Sequence, residues 1–332
     1  RVLRAGVKLA RDSGGGAGLL ADPQYGRRHG DSSRRCRDGV GADRSPSVLT
    51  QNVPMTKPVP YARTIVTEDG VPIDAAHLPG DKDLGIVLAH GFTLSWQRPA
   101  VWKAATRLNK FGGVVTFDFR GHGRSGGVST MGDKEIKDVD VAVGYARELG
   151  YRRVITIGFS MGASAVLRHA GLIGNVDAVV SVSGPGRWYY RGTRPMRLVH
   201  LAIEHRLGRV ITKAFMKTRI SGGKWDPVPL PPDDAAALIA PIPLLIVHGD
   251  KDAFFPVDHA ERIYSAANDP KELWIVPGFG HAESGTGPQL IKRIGGWMRG
   301  TVGLDPDAVP EPAVDASMKK DAVPGARTLS AG

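Results

Sequence analysis

Leu84-Gly85-Ile86-Val87-Leu88-Ala89 is an unbroken apolar run, and comparable runs recur along the chain with helical stretches between them. A strand that is apolar at every position, rather than at every second one, is buried on both faces, as in a parallel sheet covered by helices. Residues 113–118, 154–157, 176–182, 242–247 and 272–276 read as further strands of this kind. Helices are expected near 99–110, over 133–149 with Gly150 as a stop, up to about 170, near 257–267 and over 289–298. Ahead of them, residues 63–67 and 71–75 flank Glu68-Asp69-Gly70, a hairpin signal. The sequence therefore predicts an α/β fold, a mostly parallel central sheet with helices on both faces.

Composition narrows the class. With 332 residues, 42% apolar and 23% charged, the chain has room for one large or two small domains. No window approaches the roughly 20 apolar residues of a membrane span, and Leu19-Leu20-Ala21 is too short for a signal-peptide core. Cys36 is the single cysteine, which leaves no intramolecular disulfide or thiolate metal cluster and suits a cytoplasmic location. The net charge of +11 is uneven: residues 185–225 hold ten basic residues against one acidic, and residues 1–60 hold 11 against 5. A basic tail and a basic insert around a near-neutral body argue against a nucleic-acid groove, so no nucleic-acid partner is expected.

Residues 1–60, rich in Gly, Arg and Asp, are expected to be disordered. Met55 is read as the natural start, with the upstream stretch an over-extended reading frame; a genuine basic arm is the competing reading. Residues 61–184 and 241–300 form the core, 185–240 a basic cap between two core strands, and 301–332 a loose tail rich in Pro, Ala and Asp.

Active groups of open α/β sheets gather at the carboxyl ends of the strands. There this chain places His90-Gly91-Phe92, the 120–125 loop, Ser160, His248-Gly249-Asp250-Lys251-Asp252 and Gly280-His281. Ser160 lies in Gly158-Phe159-Ser160-Met161-Gly162, between a β-branched strand and an Ala-rich helix, the context of a nucleophile elbow. The pentad by itself is weak, since chance supplies about 0.3 matches in such a chain. A second copy, Gly123-Arg124-Ser125-Gly126-Gly127, follows a loop and precedes no helix, and reads as a turn. The order Ser…Asp…His along one sheet edge gives the first copy its weight.

These pieces, with Asp118-Phe119-Arg120-Gly121-His122-Gly123-Arg124-Ser125 and Pro256, make residues 62–300 resemble the α/β-hydrolase fold family. The resemblance implies Ser160 as nucleophile, His281 as general base and Asp252 as its orienting acid. It also implies an oxyanion hole from the backbone N–H groups of Phe92 and Met161. Asp250 and, more distantly, Asp258 compete for the acid's role. His90 and His122 are expected to shape loops, and His200, His205 and His259 have no ligand-like partners. No metal site and no cofactor is expected.

The cap combines Met196, Leu201, Ile203, Leu207, Ile211 and Phe215 at helical spacing with the basic residues, and Pro227, Pro229, Pro231 and Pro232 are expected to return the chain as a stiff connector. A solvated basic face is the plain reading; attraction to anionic lipid or acidic acyl substrates is the sharper one. The substrate is expected to be a small carboxylic ester or thioester, monoacylglycerol-like molecules included. A serine rather than an aspartate at the elbow argues against dehalogenase and epoxide-hydrolase chemistry. The alternatives are a C–C bond hydrolase with the same triad, a peptidase of the proline iminopeptidase kind (whose Gly-Gly-Ser-Trp-Gly elbow is absent), and a non-catalytic binding relative.

Overall fold

The computed structural model describes residues 60–308. The expected extension, the Met55 start and most of the tail lie outside the described residues. The chain begins with the antiparallel hairpin β1 (Tyr61–Val66) and β2 (Pro72–Leu78), turned by Gly70, whose N–H donates to the Thr67 carbonyl at 2.9 Å. Then follow β3 (Leu84–Ala89), α1 (Pro99–Leu108), β4 (Gly113–Phe117), α2 (Glu135–Glu148), β5 (Arg153–Phe159), α3 (Met161–Leu172) and β6 (Ala178–Val182). An insert carries α4 (Arg194–Glu204) and α5 (Arg206–Met216). The core resumes with α6 (Pro232–Ala236), β7 (Leu244–Gly249), α7 (Asp258–Ala266), β8 (Lys271–Val276), α8 (Ala282–Gly285) and α9 (Pro288–Thr301).

The strands form one eight-stranded sheet in the order β1-β2-β4-β3-β5-β6-β7-β8. β1 and β2 pair antiparallel, β2 meets β4 antiparallel, and every later pair is parallel. Every residue of β3, β4, β6 and β7 is buried, as their continuous apolar character requires. One face packs on α2, α3 and α7 through residues such as Val143, Val166 and Ile263. The other packs on α1 and α9 through Val101, Leu108, Ile294 and Met298.

Two boundaries differ from the sequence reading. The cap ends before 240, because the last proline of the connector, Pro232, opens α6, where its missing N–H costs nothing. Buried Asp233, Ala235 and Ala236 let α6 pack on α3 and α7, so the core resumes at 232. At the other end α9 runs to Thr301, and Arg299 Nε donates to the Asp305 carbonyl at 2.7 Å, drawing residues 301–305 onto the core. The insert is clamped where it leaves and rejoins. The Trp188 and Trp225 indoles donate to the Pro229 and Thr130 carbonyls at 2.8 and 2.7 Å, and Ile220 bridges to Ser129.

Candidate active site

Strand order reverses at β3 and β5, and the crevice beyond the carboxyl ends at such a point is where open α/β sheets bind ligands. Ser160 stands there between β5 and α3 with φ 53° and ψ −113°. A non-glycine residue held in this region costs about 1–3 kcal/mol and persists only where its surroundings enforce it. Two glycines do the enforcing. A Cβ on Gly158 would overlap the Gly162 carbonyl; one on Gly162 would overlap the Ala89 carbonyl oxygen and lie 2.7 Å from that of His90. α3 therefore begins pressed against the end of β3, with its positive N-terminal end beside Ser160.

The Ser160 hydroxyl donates to His281 Nε2 at 3.0 Å, and His281 Nδ1 donates to Asp252 Oδ2 at 2.8 Å. The Asp252 side chain is fully buried, and its Oδ1 accepts the N–H groups of Phe254 and Phe255 at 2.8 and 3.0 Å. Burial pushes this carboxyl upward, but the His281 hydrogen bond and charge, with the two backbone donors, outweigh it and hold the group below its ordinary value. Asp252 is thus kept as an anion facing the imidazole. Phe254 also stacks on the His281 ring, centroids 4.4 Å apart.

The competing carboxylates lie elsewhere. Exposed Asp250 accepts the Gly278 N–H at 2.7 Å and so fixes the turn after β8, while exposed Asp258 opens α7. Ser125 is buried; its hydroxyl donates to the Asp118 carbonyl and accepts the Asp74 N–H at 2.9 Å, tying two loops together. Burial lowers the His90 and His122 imidazoles to about 4 and about 3, so both are neutral loop supports. His259 accepts the Gly186 N–H at 3.0 Å, and His200 meets Glu204 at 3.2 Å. Exposed His205 stands at the α4–α5 junction. Among the described residues no three His, Cys, Asp or Glu side chains gather as a metal site requires.

Phe92 and Met161 line the same cavity as Ser160 and His281. Neither backbone N–H donates to a protein carbonyl among the described residues. The loop that carries Phe92 runs close by, since a Cβ on Gly91 would lie 3.5 Å from Ser160 Cβ.

Sequence reasoning missed the groups that brace this arrangement. Ser183 accepts the Ala282 N–H at 3.1 Å, and both residues have positive φ, 52° and 51°. Thr93, next to Phe92, has φ 63°. Positive-φ backbone thus occurs next to Phe92, at Ser160 and next to His281 alike. Glu283, buried two residues after His281, accepts the Gly91 N–H at 2.6 Å and ties α8 to the loop bearing Phe92. Its position in the first turn after Gly280-His281 is the one signal the sequence offered.

Burial raises the Glu283 carboxyl above its ordinary value near 4.5, against smaller opposing pulls from its own N–H, the Gly91 N–H and His281. The folded chain therefore holds this proton more tightly than the unfolded chain. Stability falls as pH rises from that ordinary value through the raised one. Glu283→Gln keeps an acceptor for Gly91 but does not titrate. Its melting temperature relative to wild type is expected to climb across the same window; a difference that stays flat from pH 4 to 9 would refute this.

The cavity is about 1000 Å³ and runs from Ser160 and His281 to the cap, where Trp188, Val199, Ile211 and Trp225 help line it. A sheet of this order, an elbow closed by two glycines and a hydrogen-bonded Ser–His–Asp line define the class, an α/β hydrolase. The chain belongs to the alpha/beta hydrolase family, whose model matches residues 86–290.

YfhR of Escherichia coli K12, an uncharacterised protein, is 27% identical over 213 residues, 62% of this chain and 66% of that one. The match thus spans just under two thirds of that relative's length. The monoacylglycerol lipase of Mycolicibacterium smegmatis is 29% identical over 231 residues, covering 59% of this chain and 80% of the lipase. Among solved structures, the Pyrococcus furiosus esterase Pf2001 superposes with a TM-score of 0.60 at 24% identity, over 74% of this chain and 92% of its own, a likeness of fold. Family and relatives together support a hydrolase.

Proposed function

We propose that the protein is a serine hydrolase that cleaves carboxylic esters through an acyl-enzyme, in a cytoplasmic setting. The observation that carries this is the hydrogen-bonded line from Ser160 through His281 to Asp252, opening into a largely apolar cavity. A serine hydroxyl becomes a useful nucleophile when an imidazole takes its proton as it attacks. Here Nε2 of His281 is the acceptor, and Asp252 fixes the Nδ1–H tautomer and stabilises the imidazolium. The Ser160 oxygen bonds to the ester carbon, and the negative oxygen that results is met by the Phe92 and Met161 N–H groups. His281 then returns the proton to the departing alcohol, and water repeats the sequence to release the acid. Oxyanion donors act in such a water-poor site without reorganising, and one such donor is worth on the order of 100-fold in rate.

The names of the mycobacterial monoacylglycerol lipase and the archaeal esterase favour esters over amides. The apolar cavity favours an acyl chain over a charged side chain as the bound group. Turnover of p-nitrophenyl esters is therefore expected, with kcat/KM rising from acetate toward medium chains as more of the cavity is filled. The esters would be assayed beside dipeptide amides and a ring-cleavage-type diketone. Hydrolysis of an amide or the diketone without ester turnover would move the function to the corresponding class, and no turnover of any would favour a binding role.

A further inference from the structure

The cap carries an apolar surface that continues from the cavity mouth to the outside of the molecule. α4 has no buried residue and α5 has one, Thr212. Seven of the sixteen large apolar side chains exposed among the described residues stand on these two helices, so this is a patch and not the scatter of any protein surface. Five of the seven, Leu198, Leu201, Leu207, Ile211 and Met216, belong to the cavity wall and are exposed at its mouth. Val210 and Phe215 do not line it, and they are 62% and 79% exposed. At the helical period Leu207, Ile211 and Phe215 share one side of α5 with Val210 beside them, while Arg206, Arg209 and Lys213 take the other.

The charge around this patch has one sign. Residues 185–225 contain ten Lys and Arg, and their one acid, Glu204, is already engaged by Arg191 and His200. A second copy of the chain fits poorly, because a two-fold contact would bring two such basic faces together. Nucleic acid would meet the charge but leave Val210 and Phe215 without a partner. A helix with aliphatic and aromatic residues on one side and cations on the other suits an anionic bilayer surface.

We infer that the α4–α5 hairpin docks on an anionic lipid surface, with Val210 and Phe215 among the acyl chains and Arg194, Arg197, Arg206, Lys213 and Lys217 against the headgroups. Because Leu207 and Ile211 continue the patch into the cavity, docking places the cavity mouth at the lipid; this part rests on the ester-hydrolase reading, whereas binding itself does not.

The test is flotation of the full chain, as Ser160→Ala so that no lipid is consumed, with vesicles of phosphatidylcholine and phosphatidylglycerol (7:3) and of phosphatidylcholine alone. The protein is expected to float with the mixed vesicles, to bind neutral ones about 10-fold or more weakly, and to be released by 0.5 M salt. Arg206→Gln/Lys213→Gln is expected to weaken binding on the order of 30-fold, each basic residue near such a surface being worth about fivefold. Val210→Asp/Phe215→Asp is expected to abolish retention. The same pairs made with Ser160 intact should turn over p-nitrophenyl acetate like wild type, which certifies their folding. Equal binding to both vesicle types, no flotation, or flotation undiminished in both pairs (as the basic N-terminal stretch would give) overturns the inference. So does a dimer in gel filtration that Phe215→Asp dissociates. Absence of vesicle binding by Ser160→Ala, with ester turnover by the wild-type chain, sinks docking alone, and vesicle binding with no ester turnover by the wild-type chain sinks the hydrolase reading alone.

Discussion

Ser160→Ala and His281→Ala are each expected to lower kcat on the order of 10⁶-fold, and the double variant is expected to fall no further. The lack of additivity is the informative part. The Ser160 hydroxyl and His281 Nε2 share one proton across 3.0 Å, so removing either group removes the whole function of the pair. The measurement is p-nitrophenyl ester turnover, with covalent capture of a fluorophosphonate followed by intact mass. A variant lacking His281 that still labels at the wild-type rate would show that the imidazole is not the base. A double variant with a further large loss would show that the two act separately.

Asp252→Asn is expected to cost on the order of 10⁴-fold in kcat with the fold intact. An asparagine can keep its carbonyl oxygen on the Phe254 and Phe255 N–H groups, where Asp252 Oδ1 sits now. Its amide nitrogen would then face His281 Nδ1 as a donor. That forces the proton to Nε2, where it meets Ser160 as a second donor and leaves the hydroxyl without a base. KM for the same ester is expected to stay within a few-fold, because Asp252 is buried behind the imidazole and touches no part of the cavity. Asp250→Asn is the companion, since among the described residues its carboxylate holds only the Gly278 N–H. If that variant lost activity and Asp252→Asn kept it, the acid would have been misassigned.

The sheet was legible because its strands announce burial on both faces: Leu84–Ala89 and Leu244–Gly249 have no polar residue that needs solvent before His248. Ser160, Asp252 and His281 were legible for a related reason, since each closes a strand and loop order alone puts them on one edge. The groups bracing them were not. Glu283 finds Gly91 across 192 positions of chain, and Ser183 reaches Ala282 across 99, pairings that no local pattern encodes. α6 was hidden by its prolines, which read as a stiff connector although proline also opens a helix. Periodicity also could not tell which apolar residues of the cap turn into the cavity and which turn outward, because neither α4 nor α5 rests on the core by a buried face.

That separateness bears on how such a molecule can change over evolutionary time. The strained elbow and its bracing sit in a close-packed frame, where most substitutions are destabilising. The helical hairpin contributes almost nothing to that frame, so substitutions along it are nearly neutral for folding while they reshape what the cavity accepts. On the ester-hydrolase reading proposed above, selection can therefore retune the choice of substrate without disturbing the reaction, and descendants sharing one catalytic edge would be told apart by about two dozen residues between Arg194 and Met216.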